Sequence, residues 1–287
     1  MAKQVTALTE GQDALQRRAL DLERRLSSDV LGIFGVIRSG TDESVRDRLE
    51  SFAKEKKGRA RLAVVLSSSG GLVEVAERIV TVQRHFYKEV AFYVTDVALS
   101  AATVLAMSGD QIWMDYFSCL GPIDPQVDRA GNFVPALSYL SQYDRLVAKA
   151  QANKITEAEF LIMKGFDQAE LHLYEKARDL SVSLLKGWLA QYKFKDWTTT
   201  ETAKTPVTPA MRVKRAEEVA KLLMDHERWG SHGRGIGMKI LREEVKLKID
   251  DFGTDAKLAE ALRGYSSLAL DFMGRVNWGS MTHGRMP

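Results

Sequence analysis

The turn Ser69-Gly70-Gly71 contains the first residues of this chain whose type and spacing suggest chemistry. It follows the aliphatic run Leu62–Leu66, where a strand would end and a helix begin. Paired glycines in such a turn expose backbone N–H groups, because no side chain blocks the approach of a ligand. The turn could therefore form an oxyanion hole or bind another anion, although glycine is also common in purely structural turns.

Two further segments lie within about 60 residues of that turn. Ser100 sits among small residues in Ala98–Ala102, where a strand passes into a helix, and a serine so placed is typically a helix N-cap. The segment Leu120–Gln126 contains two prolines, a glycine and Asp124, and this composition predicts a rigid loop. Each segment has an ordinary structural explanation when it is taken by itself.

Apolar runs and amphipathic segments alternate before residue 135. The apolar runs predict strands at 30–37, 62–66, 90–94 and 111–115. A helical pattern follows each of the first three strands. Strands that alternate with helices indicate βαβ units and a mainly parallel sheet, so the expected fold class is α/β.

Helical patterns dominate after residue 135. A capping box of Thr156 and Glu159 predicts a long helix over 157–193, and the tail after about residue 273 is expected to fray. The polar, proline-containing segment 194–208 is typical of a linker. The predicted organisation is an N-terminal helical arm (1–29), a core that includes the long helix (30–193), the linker (194–208) and a helical C-terminal region (209–287).

Composition excludes several classes of protein. The 287 residues are 45% apolar, which supplies a full core and rules out a wholly disordered or fibrous chain. Lys+Arg 41 against Asp+Glu 38 gives a net charge of +3, too small to indicate nucleic-acid binding. A single cysteine, Cys119, excludes an internal disulfide framework, and no apolar window fits a signal peptide or a membrane span. We therefore expect a cytoplasmic protein.

Neither a metal site nor a cofactor is expected. His226 and His232 lie six residues apart around Trp229, a spacing that matches no strong zinc signature. No cysteine lies near them.

Together, the three segments resemble a known superfamily. The succession of strand-SSSGG-helix, ALSAATVLAMSGDQIWMD and LGPIDPQ is similar to that of Clp peptidases, signal peptide peptidase A and crotonases. Within it the chain most resembles the serine dehydrogenase proteinase family, which has a TPGG-like turn, an AMSAGT-like serine segment and an LGPxDPQ loop. The resemblance covers about residues 30–130, and Trp229–Arg234 is similar to a W-x-SHGR segment of that family. It implies a Clp/crotonase-like spiral of βαβ units, self-association, and Ser100 as the nucleophile of a peptidase.

Elementary chemistry agrees with the implied role of Ser100. The positive end of a helix dipole favours the negative charge that develops on a bound acyl oxygen. The amides of Ala101 and Gly71 are then the expected oxyanion donors. Two residues depart from the family pattern: Ser69 stands where proline is usual, and Ala102 stands where glycine is common.

Three other residues are expected to belong to the oxyanion or substrate-binding region. Gly70 precedes the proposed donor in the glycine turn, and Asp124 lies in the LGPIDPQ loop. His232 belongs to the W-x-SHGR segment and is interpreted as part of a pocket or of a contact between subunits, not as the base.

A lysine is the expected general base. Clp peptidases use a histidine on the segment equivalent to Ser118–Gln126, and this chain has none there. Signal peptide peptidase A of the short kind uses a lysine roughly 50 residues after its serine, and Lys149 and Lys154 fall in that range. Lys164 is a third candidate because it follows the apolar stretch Phe160–Met163, and burial must lower a lysine pKa from about 10.4 before the amine can act as a base. Lys154 is preferred, since there the chain enters the long helix.

Three functions remain open from the sequence. The first is a homo-oligomeric serine peptidase, with or without an activating protein partner, that cleaves polypeptides through an acyl-enzyme at Ser100. The second is a catalytically degenerate oligomeric scaffold or partner-binding protein, which the missing histidine and the altered glycine turn favour. The third, crotonase-type acyl-CoA chemistry, needs an oxyanion turn but no nucleophile, so Ser100 counts against it.

Overall fold

The architecture is a mixed α/β fold around one long sheet. The computed structural model describes residues 2–55, 59–123, 126–129, 132–231 and 233–286. The strands in the described residues are β1 (Asp29–Ile37), β2 (Arg61–Gly71), β3 (Glu89–Ala98), β4 (Gln111–Met114), β5 (Cys119–Leu120), β6 (Gln126–Arg129), β7 (Asn132–Pro135), β8 (Ile236–Gly237), β9 (Asp250–Asp251) and β10 (Ser280–Gly284). The helices are α1 (Ala2–Leu26), α2 (Thr41–Lys54), α3 (Val73–Phe86), α4 (Ala101–Ala106), α5 (Ala136–Gln151), α6 (Glu157–Lys164), α7 (Gln168–Trp188), α8 (Pro209–Leu223), α9 (His226–Trp229), α10 (Met238–Glu243) and α11 (Ala256–Val276). A π-helical turn, Leu189–Lys193, continues α7, and a 3-10 turn, Phe252–Thr254, precedes α11.

The sheet has the strand order β10-β1-β2-β3-β4-β9. In this order, neighbouring strands among β1, β2, β3, β4 and β9 are parallel, and β10 is antiparallel to β1. Helices α2, α3 and α4 connect the consecutive strands β1 to β4, which gives the βαβ units expected from the sequence. The α/β prediction is confirmed. Strand β2 extends beyond the predicted 62–66, because its last residues stay paired with β1 as far as Ile37 and Gly71.

Helices cover both faces of the sheet. Side chains alternate between the faces of a strand, so Leu62, Val64 and Leu66 pack under α2, α3 and α4. Ala63 and Val65 face the other way, towards α1 and α11. The sheet thereby lies between two packed layers, and α4 belongs to the layer that also contains α2 and α3.

The N-terminal helix and the C-terminal tail both belong to this core. The predicted apolar stripe of α1 is buried through Leu15, Ala19 and Leu22, and α1 packs against α11. The expectation of a frayed tail was wrong, because residues 280–284 form β10. Arg285 fastens the tail, since its Nη1 lies 2.6 Å from both the Glu23 and the Asp29 carboxylates.

Helices α5 and α7 share a small separate core. Residues Ala136, Leu140, Leu171 and Tyr174 are its buried members. The predicted helix 157–193 is divided there, because Gly165 ends α6 and the Asp167 side chain caps α7. All residues of α6 remain at least partly exposed.

The expected linker 194–208 is packed against its neighbours. Phe194 is buried, the Trp197 carbonyl accepts a hydrogen bond from Arg212 Nη2 at 3.1 Å, and Thr199 forms a β-bridge with Pro206.

Candidate active site

Ser100 occupies a strained turn between β3 and α4. Its backbone has φ 52° and ψ −123°, and such a positive φ costs a non-glycine residue on the order of 1–3 kcal/mol. The residue precedes α4, but its side chain does not cap that helix, and 4% of its surface is exposed. The backbone at Ser100 is therefore not that of an ordinary N-cap, which is normally extended.

The glycine turn packs directly against Ser100. A Cβ atom on Gly70 would lie 2.8 Å from the Ser100 Cβ and 2.6 Å from the Leu99 carbonyl oxygen. Gly70 also has φ +99°, which disfavours any side chain. The Gly70 N–H donates to Ser68 Oγ at 3.1 Å, and the Leu99 N–H donates to the Ser68 carbonyl at 3.0 Å. Close packing and hydrogen bonds thus join the two segments.

Gly71 is packed against β1, on the side of β2 that lies away from β3. A Cβ atom on Gly71 would overlap the Ile37 carbonyl oxygen, and its φ is +141°. That same oxygen accepts a hydrogen bond from the Leu72 N–H at 2.9 Å. Glycine is required here by the β1–β2 pairing.

The loop that begins at Gly121 lies against the serine turn as well. The Gly121 N–H donates to the Ala98 carbonyl at 3.0 Å, and a Cβ atom on Gly121 would lie 2.7 Å from Leu99 Cδ2. The Ile123 N–H donates to the Leu223 carbonyl at 2.9 Å, which ties the loop to the end of α8. Asp124 lies outside the described residues.

The C-terminal region adds a strand beside this loop. Strand β8 pairs with β5 through Ile236 and Leu120, directly before Gly121. Trp229, at the start of the W-x-SHGR segment, is buried, and its Nε1 donates to the Leu222 carbonyl at 2.7 Å. His232 lies outside the described residues. The approach of β8 to β5 could not be predicted, because a strand of two residues leaves no periodic signal.

The three candidate lysines lie on or beside α5 and α6. Lys149 forms an ion pair with Glu159, and its side chain is 42% exposed. Lys154 and Lys164 are exposed. None of the three candidate lysines is therefore buried within this chain.

A lysine with a lowered pKa occurs instead at Lys193, in the π-helical turn. Burial lowers its pKa to about 8, and Lys248 acts in the same direction, against the effect of Asp250 and Asp110. Asp110 lies beside Val90 near the start of β3, whereas Ser100 follows the end of that strand. Val90 and the last residue of β3, Ala98, are about 25 Å apart along the strand. Lys193 thus lies at the opposite end of the sheet from Ser100.

Comparison with known families gives one match over most of the chain. Residues 38–226 match the family described as ClpP-like SDH-type serine proteinase. The matched range contains the glycine turn, Ser100 and the Gly121 loop, and it ends before β8.

Curated relatives match over shorter ranges. Two uncharacterized proteins of Methanocaldococcus jannaschii are 27% and 25% identical to this chain over 174 and 143 residues. These alignments cover 56% and 45% of this chain and 59% and 46% of the relatives. The chain thus spans about half the length of each relative.

Solved structures show a more distant likeness. A mutant of the 1510-N membrane-bound stomatin-specific protease has 14% identity and a TM-score of 0.45, and the match covers 80% of this chain and 82% of the protease. A mutant of ClpP1 from Listeria monocytogenes has 14% identity and a TM-score of 0.35, with 57% and 77% covered. The assignment of family therefore rests on the match over residues 38–226.

Proposed function

We propose that this chain, which belongs to the family of ClpP-like SDH-type serine proteinases, cleaves polypeptides through an acyl-enzyme on Ser100. The observation that carries the proposal is the position of Ser100, in a strained strand-to-helix turn against Gly70. Such turns present a nucleophile at the start of a helix, next to backbone N–H groups.

Two backbone amides are the proposed oxyanion donors. The Ala101 N–H begins α4, and a first-turn amide has no acceptor within its own helix. The N–H groups of Gly70 and Leu72 are already used by Ser68 and Ile37. Gly71 lies between these two residues, in the turn that packs against Ser100, and its N–H is the second proposed donor.

The proposed reaction needs a base beside Ser100. A neutral lysine amine accepts the Ser100 hydroxyl proton while Oγ bonds to the scissile carbonyl carbon, and the resulting ammonium returns the proton to the leaving amine. Water then hydrolyses the ester, with the same amine as base. Lys154 remains our first choice. Lys149 Nζ is already paired with the Glu159 carboxylate in this chain.

Exposure of the candidate lysines favours an assembly of several chains. A lysine that acts as a base must be buried, and a second copy packed on α5 and α6 would supply that burial. The apolar residues Phe160, Leu161 and Ile162 of α6 are exposed and offer a surface for such a contact. Light scattering should return several times the 32.1 kDa of one chain, and a monomer at micromolar concentration would contradict this proposal.

The compartment and the partners are proposed on narrower grounds. The single cysteine supports a cytoplasmic location, because it indicates no need for an oxidising environment. Among the described residues, no helix combines the length and the apolar character that a membrane crossing requires. An unfolded polypeptide is the proposed substrate, and an activating protein is a further proposed partner.

A scaffold without hydrolytic activity is the second candidate function. It is favoured by the same exposure of Lys149, Lys154 and Lys164, which leaves Ser100 without any of these lysines as a buried base in the single chain.

A fluorophosphonate probe distinguishes the two candidates. The peptidase proposal predicts that the wild-type protein is labelled and that Ser100→Ala is not. Ser69→Ala is the matched control, because Ser69 is an exposed serine of the adjoining turn, and this variant should be labelled. Labelling of Ser100→Ala would reject Ser100 as the nucleophile, and an unlabelled wild-type protein would favour the scaffold.

A further inference from the structure

We propose that Thr103 is a positioning residue whose buried hydroxyl holds the Ser100 turn against the Gly121 loop. The proposal rests on the function proposed above, because it concerns the geometry of that nucleophile. Thr103 lies three residues after Ser100 in α4 and is fully buried.

The Thr103 hydroxyl lies among three backbone groups from both segments. Its Oγ1 is 2.6 Å from the Ala98 carbonyl oxygen and 3.0 Å from the Gly121 carbonyl oxygen. It also accepts a hydrogen bond from the Gly121 N–H at 3.1 Å. One hydroxyl therefore links the end of β3, the first turn of α4 and the start of the loop.

These contacts lie on both sides of Ser100 in the sequence, so they can hold its backbone in place. Ala98 precedes Ser100 by two residues and Thr103 follows it by three, so the Thr103–Ala98 bond closes the strained turn from both sides. A strained backbone persists only where the surrounding structure holds it. The Gly121 contacts then fix this closed turn relative to the loop that leads to Asp124. Without the hydroxyl, the Gly121 N–H loses one of its two acceptors, because only the Ala98 carbonyl at 3.0 Å remains, and the bond across the Ser100 turn is lost.

A second buried threonine, on β3, does not have this role. Thr95 on β3 is also buried, and its Oγ1 donates to Ser266 Oγ on α11 at 2.8 Å. That bond joins the other face of the sheet and involves neither the Ser100 turn nor the loop. Thr95 thus provides a matched control for the loss of one buried hydroxyl.

The test compares Thr103→Val, Thr103→Ser and Thr95→Val. Misplacement of a reacting group by about 1 Å costs on the order of a hundredfold in rate, so Thr103→Val should lose that much in kcat and in the rate of fluorophosphonate labelling, with KM nearly unchanged. Thr103→Ser keeps the hydroxyl and should recover most of both rates. Thr95→Val should be less stable than the wild type but should hydrolyse and label at the wild-type rate. Labelling of folded Thr103→Val at the wild-type rate would overturn the proposal.

Hydrogen exchange at the Gly121 amide makes the test independent of catalysis. Thr103→Val should exchange this amide faster than the wild type, and unchanged protection would overturn the proposal even in an inactive protein. A wild-type protein that is never labelled would overturn the proposed function instead, and the Gly121 amide would still decide whether Thr103 holds the loop. If Thr103→Val does not fold, Thr103→Ser and Thr103→Ala, which differ by the hydroxyl alone, allow the same comparison.

Discussion

Gly70 and Ser100 are packed so closely that a single methyl group on Gly70 would lie 2.8 Å from the Ser100 Cβ. The proposed nucleophile is therefore positioned by a residue that has no side chain. This contact joins the ends of β2 and β3, which are consecutive in sequence and adjacent in the sheet, and it makes the glycine turn a direct support of Ser100.

Gly70→Ala should impair both activity and stability. The methyl group would displace Ser100 or Leu99, and φ +99° strains any residue other than glycine. We expect hydrolysis to fall by on the order of a hundredfold and the free energy of unfolding to fall by about 1–3 kcal/mol. Gly187→Ala is the control, because a Cβ there has open space inside α7, and it should raise the free energy of unfolding by about 0.5–1 kcal/mol. Normal turnover by Gly70→Ala would show that this contact does not position the serine.

Ser68→Ala should slow turnover without unfolding the protein. Ser68 Oγ accepts the Gly70 N–H, so it restrains the turn at which the family usually has proline. Loss of the restraint should lower kcat about tenfold, and Ser68→Thr, which keeps the hydroxyl, should stay near the wild type. Steady-state kinetics of both variants, with thermal melting as a check on folding, provide the measurement. Equal kcat for Ser68→Ala and the wild type would mean that the glycines alone fix the turn.

The lysine hypothesis predicts a rise of activity with pH through one limb near pH 7–9. Only the neutral amine can accept the serine proton, and burial in the assembly must lower the lysine pKa into that range. One of Lys154→Met, Lys149→Met and Lys164→Met should be inactive, with Lys154 our first choice. Lys176→Met is the control, because Lys176 is exposed on the neighbouring helix α7. Activity in all three variants would reject the lysines and turn attention to Asp124 and His232.

His283 should make the fold sensitive to acid. Burial lowers its pKa from 6.5 to about 4, and the Arg48 charge acts in the same direction. The unfolded chain takes up a proton near pH 6.5 and the folded chain does not, so the free energy of unfolding falls as the pH drops from about 6.5 towards 4. The expected loss between pH 7 and pH 4.5 is about 2 kcal/mol.

The matched variant for this effect is His283→Asn. Tyr265 Oη lies 2.8 Å from His283 Nδ1, and an asparagine oxygen can accept its proton in the same place. Chemical denaturation at the two pH values should show a smaller loss for the variant than for the wild type. Glu23 titrates in both proteins, so the difference between them isolates His283. An identical loss in both would assign the acid sensitivity to other groups.

Local sequence patterns were sufficient to predict the part of the fold that positions Ser100. The strands and the glycine turn are encoded by adjacent residues, and parallel strands then bring the successive turns together. The same patterns failed for the tail, because β10 depends on the pairing of Thr282 with Ile33 and on the ion pairs of Arg285 with Glu23 and Asp29. The patterns also predict two helices, 256–263 and 266–273, on either side of Gly264, whereas α11 continues through that glycine, which makes room for the Arg18 guanidinium of α1.

The pairing of β1 with β10 also sets an order for folding during synthesis. Ile33 leaves the ribosome about 250 residues before its partner Thr282, and contacts of such long sequence separation form late. Strands β1 to β4 can pair as they emerge, but the outer edge of β1 stays open, and the apolar stripe of α1 stays uncovered until α11 has been made. The nascent chain therefore carries an almost complete Ser100 turn together with an unprotected strand edge, and it is most vulnerable to aggregation in the interval before β10 closes that edge.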